Sequence, residues 1–100
     1  MFPIKNYKND IEILCKKHKV KRLYVFGSAL TEKFIDKSDI DLIVDFDSVD
    51  LNNYADNYFD LKFSLQSIFQ RTIDLLEEKA IKNPYFKKSV NDQRQLVYGY

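Results

Sequence analysis

Two aspartates stand one residue apart at the start of an apolar segment with the sequence DIDLIVDF. Side chains two positions apart in a β-strand point to the same face, so Asp39 and Asp41 would project side by side and leave Ile40, Leu42 and Val44 for the core. Two carboxylates held this close repel each other unless a cation lies between them. Because Mg²⁺ prefers oxygen ligands, the pair predicts a magnesium site. The alternative is two solvated acids at the start of a strand.

A third aspartate, Asp74, lies in the middle of another apolar segment, RTIDLLEE. Hydrophobic residues flank it, and a carboxylate there has no evident structural purpose. If this segment forms a strand beside the one that carries Asp41, Asp74 would reach the same metal ions and complete a site for two of them. The alternative is an acid that points outward from a short edge strand.

The dipeptide Gly27-Ser28 ends a third segment typical of a strand, KRLYVFG. We expect Ser28 to cap a short helix over ALTEKF, whose first turn would present unpaired backbone N–H groups to an anion. Gly27 is the only glycine in the interior of the sequence, since Gly99 is next to its end. A glycine lets a phosphate approach the backbone closely, so these two residues predict a phosphate-binding bend.

Hydrophobic periodicity predicts seven elements in the order α-β-α-β-α-β-α. Apolar residues at helical spacing predict a helix over 9–18, capped by Asn9, and a longer helix over 53–70. Asn83 and Pro84 are typical of the start of a last helix. Strands are predicted over 21–27, 39–46 and 71–78. This order predicts an α/β fold in which a small sheet packs against helices.

Length and composition predict a folded protein of one domain spanning residues 1–100. The net charge is only +1, but residues 1–22 hold seven Lys and Arg against two acids, whereas residues 36–60 hold eight Asp against one Lys. The lone cysteine, Cys15, excludes an internal disulfide, and no apolar run reaches the ~18 residues of a membrane span. We therefore expect a soluble protein of the cytoplasm.

The chain resembles the minimal nucleotidyltransferases of the DNA polymerase beta superfamily in three parts. These are Gly27-Ser28, then Asp39-x-Asp41 after ten intervening residues, then Asp74. The resemblance implies the polymerase beta-like nucleotidyltransferase fold, with a small mixed sheet packed against helices. It also implies transfer of a nucleoside monophosphate from an NTP, with ATP expected, and release of pyrophosphate.

The same resemblance assigns roles to the five residues. Asp39, Asp41 and Asp74 would hold two Mg²⁺ ions, and Gly27 and Ser28 would hold the triphosphate. Small stand-alone members are similar to antitoxins paired with HEPN-type ribonuclease toxins, in which the transferase adds AMP to a tyrosine of the toxin. An enzyme that extends a nucleic acid would need further domains to hold it, and a chain of this size is expected to have none. The expected acceptor is therefore a hydroxyl of a partner protein.

Two other interpretations stay open. Many members carry Arg and Gly just after the Gly-Ser, where this chain has residues 29–32, ALTE. This difference favours an antitoxin that sequesters its partner by contact without catalysis. A third interpretation is an adaptor that binds nucleic acid through the basic run KKHKVKR, and it predicts salt-dependent binding to RNA.

Several other residues are expected to be structural. Cys15 is predicted in the core and His18 at a helix end. Arg71 could reach a phosphate or pair with a nearby acid, and Tyr98 and Tyr100 could be exposed hydroxyls or partner contacts. The aromatic side chains of the long helix are predicted to be mostly core: Tyr54, Tyr58, Phe59, Phe63 and Phe69.

Overall fold

A four-stranded mixed sheet and three α-helices make up the computed structural model of the chain, which describes residues 2–99. The helices are α1 (Lys8–Lys17), α2 (Tyr54–Phe69) and α3 (Pro84–Gln93), and the strands are β1 (Val20–Phe26), β2 (Ile40–Phe46), β3 (Ile73–Glu77) and β4 (Gln95–Tyr98). The sheet order is β3-β2-β1-β4, with β2 parallel to β3 and antiparallel to β1. The predicted α/β fold with a small mixed sheet is confirmed.

The main hydrophobic core lies between one face of this sheet and the helices α1 and α2. Strand β2 is central, and Ile40, Leu42 and Val44 alternate onto this face with no exposed surface. None of the helices in residues 2–99 is long and apolar enough to cross a lipid bilayer. The rest of this core includes Ile11, Cys15, Leu23, Val25, Leu61, Leu65 and Leu75.

The opposite face of the sheet carries the acids Asp41 and Asp74 and is partly covered by α3. The Oδ1 atom of Asn83 accepts hydrogen bonds from two backbone N–H groups in the first turn of α3, so the predicted cap is confirmed. The ring of Phe86 in α3 meets the ring of Phe26 edge-on at 6.3 Å between centroids. Helix α3 therefore packs on the side of the sheet on which the predicted site lies.

The predicted helix after Ser28 is wrong. The chain instead forms a single 3-10 turn over Gly27–Leu30, and the Ser28 side chain caps nothing. Both the backbone N–H and the hydroxyl of Thr31 donate to the Ser28 carbonyl at 3.0 Å, which closes the turn, and Thr31 itself is extended. Without a helix there is no helix dipole to attract a phosphate, so that part of the phosphate-site argument fails.

The start of α1 and the number of strands also differ from the prediction, and β1 and β3 are displaced or shorter by one or two residues at their ends. Helix α1 begins at Lys8, directly after a 3-10 turn, so Asn9 lies inside the helix and Tyr7 takes the N-cap position. Strand β4 was not predicted; it pairs antiparallel with β1, where Leu96 is opposite Tyr24. Tyr98 is half-buried in this strand, and Tyr100 lies outside the described residues.

The aromatic residues of α2 divide between core and surface. Phe69 is buried and Tyr54 and Tyr58 are half-buried against the core, as predicted. Phe59 and Phe63 are 49% and 59% exposed and stack on each other at 6.1 Å, so their assignment to the core is wrong. They lie one turn apart on the solvent side of the helix, and the half-buried Tyr58 meets the ring of Phe59 edge-on at 5.1 Å between centroids.

The end of α1 is joined to α2 by the buried side chain of His18. Its Nδ1 lies 2.7 Å from the Leu14 carbonyl and its Nε2 lies 2.6 Å from a carboxylate oxygen of Asp60. Both partners are acceptors, so the imidazolium form makes both bonds at once. The predictions for His18 and Cys15 are confirmed, and burial raises the pKa of the Cys15 thiol to about 12, which keeps it protonated and unreactive.

We expect His18→Ala to lower the free energy of unfolding by about 2 kcal/mol, because it removes a buried group with a charge-assisted hydrogen bond.

Asp60→Asn should also destabilise the fold at pH 7. The hydrogen bond from His18 lowers the pKa of Asp60, so this carboxylate stabilises the fold above its usual pKa, and the effect is lost as pH falls through the lowered value. Urea unfolding at pH 7 and pH 3 measures both, with the exposed Asp56→Asn as control; an Asp60→Asn effect of equal size at both pH values would contradict the ion pair.

Candidate active site

The pairing of β2 with β3 brings Asp41 and Asp74 together. In this parallel pair the two residues are direct Cα partners, so their side chains leave the sheet on the same face. Asp39 lies two residues before Asp41, and the N–H of Ile40 between them donates to the Thr72 carbonyl at 3.1 Å. This bond extends the β2–β3 pairing to Thr72, the residue before β3, so Asp39 lies directly before the paired part of β2 and its charge acts on Asp41.

The three carboxylates affect one another electrostatically. Asp41 is half-buried, while Asp39 and Asp74 are exposed. Partial burial raises the pKa of Asp41, and repulsion from Asp74 and then from Asp39 raises that pKa further. The site therefore concentrates negative charge around Asp41, and a cation would relieve it.

The acids are neighbours without forming a ready-made metal cage. Within residues 2–99, no group of three or more His, Cys, Asp or Glu side chains is gathered closely enough to hold a metal ion. Carboxylate oxygens are nevertheless the donors that Mg²⁺ prefers, and the side chains of Asp39 and Asp74 are exposed to solvent. The set of donors fits magnesium, and the assignment of Asp39, Asp41 and Asp74 as ligands stays a prediction.

Gly27 allows the backbone bend to lie directly against Asp41. Its φ is +77°, and a Cβ atom at this position would be 2.7 Å from Asp41 Oδ2. Residue 26, just before it, is the Cα partner of Asp41 across the β1–β2 pair. A glycine is thus required here because the Asp41 carboxylate lies against the bend. The sequence had instead suggested that a phosphate would approach the backbone at this glycine. Ser28 is half-buried beside it, and its contact with a nucleotide stays a prediction.

One residue near the site has a contact that the sequence left open. Arg71 precedes β3, and its guanidinium binds backbone carbonyls of the segment that leads to Asp39. Of the two alternatives for Arg71, pairing with an acid is the one seen, since its Nη2 lies 3.7 Å from an Asp36 carboxylate oxygen. The sequence showed only that an arginine lies just before the third strand, and this position alone does not identify the groups that the arginine contacts.

Removal of the central charge should stabilise the fold. The folded-state pKa of Asp41 is raised, so ionisation of this carboxyl group opposes folding. The protonated group stabilises the fold at low pH, and this contribution is lost as pH rises through the raised pKa. With allowance for screening at a partly exposed site, we expect Asp41→Asn to raise the thermal midpoint by about 2–4 °C at pH 7, roughly 0.5 kcal/mol for a domain of this size.

The same experiment tests metal binding. At a concentration ten times its dissociation constant, Mg²⁺ would add about 1.4 kcal/mol to the stability of the wild type. The Asp41→Asn variant should gain much less, since it lacks the central carboxylate. Scanning calorimetry with MgCl₂ and with matched NaCl measures both effects, and equal Mg²⁺ shifts in the two proteins would contradict the metal site.

The nucleotidyltransferase domain is a protein family whose sequence pattern matches residues 8–97. The match includes all five predicted site residues, strands β1 to β3 and all of β4 but its last residue. The chain belongs to this nucleotidyltransferase family.

Curated relatives of this nucleotidyltransferase include two proteins of Methanocaldococcus jannaschii that carry the name "Putative protein adenylyltransferase". One is 39% identical over 89 residues and the other 38% identical over 87 residues. Both matches cover 87% of this chain and 84% of the relative. The similarity therefore extends over most of each protein.

Solved structures share the fold. A protein assigned provisionally as a minimal nucleotidyltransferase superposes with a TM-score of 0.77 at 23% identity, over 95% of each chain. A toxin–antitoxin structure with AMP-PNP gives 0.70 at 24% identity, over 93% of this chain and 73% of the other. A chain from the complex of a tri-AMPylated Shewanella oneidensis HEPN toxin with an MNT antitoxin gives 0.65 at 23%, over 97% and 73%. At these identities the superpositions establish a common fold.

Proposed function

We propose that this nucleotidyltransferase transfers AMP from ATP to a hydroxyl group of a partner protein, a HEPN-type ribonuclease toxin that it thereby neutralises. The observation that carries the proposal is the register that sets Asp41 beside Asp74 at the start of two parallel strands. Relatives named for protein adenylyltransfer support the acceptor class, and the neighbouring fold found with an AMPylated HEPN toxin supports the partner.

Asp39, Asp41 and Asp74 would hold two Mg²⁺ ions together with phosphate oxygens of ATP. When bound, these ions would neutralise the triphosphate and the charge that develops on the attacking and leaving oxygens. Gly27 keeps the backbone bend against Asp41, and the adjacent Ser28 would contact the triphosphate. The raised pKa of Asp41 supports this arrangement, since a carboxylate destabilised by its neighbours gains most from a cation.

The proposed reaction is an in-line displacement at the α-phosphorus of ATP. The acceptor oxygen bonds to this phosphorus, the bond to the bridging oxygen of the β-phosphate breaks, and pyrophosphate leaves. Asp74 would take the proton of the acceptor hydroxyl, because it is exposed on the edge strand β3 and can be reached by a group on another protein. The rate would come from positioning and charge neutralisation. We place the reaction in the cytoplasm, where ATP and Mg²⁺ are available together.

The test is transfer of label to the proposed partner, a purified HEPN-type toxin. The purified chain is incubated with Mg²⁺, ATP labelled at the α-phosphate and the toxin. We expect label on the toxin, none when ATP labelled at the γ-phosphate replaces it, and none when EDTA removes the metal. Label from the γ-phosphate would indicate phosphoryl transfer, and absence of label with every nucleotide would overturn the proposal.

A second function, sequestration of the partner by contact alone, is favoured by the exposed stacked pair Phe59 and Phe63. Exposed aromatic side chains of this kind are enriched at protein interfaces. The double variant Asp39→Asn, Asp41→Asn separates the two functions. Neutralisation of the toxin by this variant at wild-type levels would establish sequestration, and loss of neutralisation with retained binding would establish catalysis.

A further inference from the structure

The segment that carries Asp39, residues 31–39, contains no helix or strand. Within it, the Ser38 N–H donates to the Ile35 carbonyl at 2.9 Å, and the Ser38 hydroxyl accepts from the Ile35 N–H at 3.1 Å. These bonds close a small turn directly before Asp39. They do not attach this turn to the sheet, so the position of Asp39 depends on other contacts.

Arg71 supplies that attachment through one nitrogen. Its Nη1 donates to the carbonyl of Asp36 at 3.0 Å and to that of Ile35 at 3.2 Å, with the Ser38 carbonyl at 3.5 Å. These acceptors belong to the backbone, so the contact depends on the path of the chain rather than on the side chains of the turn. Arg71 therefore binds the turn at three points within four residues.

The planar guanidinium is itself held in place. It lies 4.5 Å from the ring centroid of Phe34 and 5.7 Å from that of Phe2, and its side chain is 21% exposed. The Asp36 carboxylate is fully exposed and lies 3.7 Å away, so this ion pair contributes little. Stacking and the bonds to carbonyls are the contacts that matter here.

Consecutive residues thus bind the chain on both sides of Asp39. Arg71 binds the backbone up to Ser38, and the carbonyl of Thr72 accepts from the N–H of Ile40. We propose that Arg71 is a positioning residue that holds the 35–38 turn so that Asp39, directly after it, stays beside Asp41 for metal binding. The metal-binding part of this inference rests on the proposed function.

The experiment compares Arg71→Met with a matched variant, Arg94→Met. Arg94 is equally exposed, stacks on Tyr24 at 4.0 Å and pairs with Glu78 at 2.5 Å, but it does not contact the turn. The readouts are hydrogen exchange of the amides of residues 35–39, Mn²⁺ binding followed by electron paramagnetic resonance without nucleotide, and kcat and KM for ATP. Circular dichroism checks that both variants are folded at the working temperature.

We expect Arg71→Met to speed exchange of the Ser38 amide about tenfold, to weaken Mn²⁺ binding about fivefold and to lower kcat about tenfold, with KM for ATP changed by less than about twofold. Arg94→Met should leave Mn²⁺ binding unchanged. In an Asp39→Asn background Arg71→Met should have no further effect on Mn²⁺ binding, because a residue that acts through Asp39 loses its effect when Asp39 is neutral.

The inference would be overturned if Arg71→Met bound Mn²⁺ with wild-type affinity, or if it weakened Mn²⁺ binding equally in the wild-type and Asp39→Asn backgrounds. A rise in KM for ATP alone would also overturn it and would make Arg71 a triphosphate ligand. Absence of Mn²⁺ binding by the wild type would overturn it too. If the wild type binds Mn²⁺ but transfers no nucleotide, the proposed function fails while the Mn²⁺ comparison still decides the role of Arg71. Should Arg71→Met not fold, Arg71→Lys replaces it, since it keeps the charge and loses the planar fork.

Discussion

Asp41→Asn is expected to lower kcat for nucleotide transfer about 10³-fold or more. The substitution keeps the shape of the side chain and removes the charge at the centre of the three acids, where loss of the proposed metal ligand would remove several kcal/mol of charge stabilisation. The stability of the variant should rise, as argued above from the raised pKa of Asp41. Activity and stability should therefore change in opposite directions, which is typical of a residue kept for function.

Asp47→Asn is the matched control for this variant. Asp47 directly follows β2, so it lies at the opposite end of the strand from the predicted site, and its side chain is exposed. We expect its initial rate to stay within about twofold of the wild type, because exposed charges far from the site are screened. Initial rates with α-labelled ATP measure both variants, and substantial transfer by Asp41→Asn would remove the carboxylate mechanism.

Gly27→Ala is expected to reduce both stability and activity. An alanine at φ +77° costs about 1–2 kcal/mol, and its Cβ would be 2.7 Å from Asp41 Oδ2, so the carboxylate must move. A displacement of about 1 Å at a reacting centre can lower the rate ~100-fold. Urea unfolding and initial rates at a temperature where the variant is folded measure the two effects.

Gly99→Ala separates strain from displacement of the carboxylate. Gly99 also has a positive φ, +96°, and a Cβ there would be 2.4 Å from the Lys21 carbonyl, away from the acids. We expect a similar loss of stability with kcat close to that of the wild type. If both glycine variants lost activity in proportion to their stability, the special role of Gly27 beside Asp41 would be wrong.

Strong periodic patterns predicted most of the sheet and its helices. The predicted ends of strand β2 and helix α2 lie within one residue of the observed ends. A central strand and a helix packed on it must keep their apolar spacing over their whole length, so the sequence pattern marks both ends. The prediction that Asp39 and Asp41 share a face applied the two-residue repeat of a strand to Asp39, which lies one residue before β2. The adjacency of Asp74 was a conditional prediction, since the order of strands in a sheet depends on contacts between distant segments.

The errors have local physical causes. Ser28 was expected to begin a helix, but the left-handed Gly27 and the hydrogen bonds of Thr31 close a single turn instead. Strand β4 is only four residues long, QLVY, and is followed by a glycine. Strand β1 also ends in apolar residues followed by a glycine, but β4 has fewer of them, so its sequence did not predict a strand. Phe59 and Phe63 have the spacing of core residues, and only the direction of α2 on the sheet shows that they face solvent.

The parallel pairing of β2 with β3 has a consequence for how this protein becomes active during synthesis. Parallel neighbours cannot be joined by a tight turn, and here the whole of α2 must cross before β3 can align with β2. Asp74 joins the other acids only at that late, long-range step. A nascent chain that has emerged only as far as α2 therefore has no complete set of acids, and it gains that set when the hydrophobic residues of β3 are withdrawn from solvent.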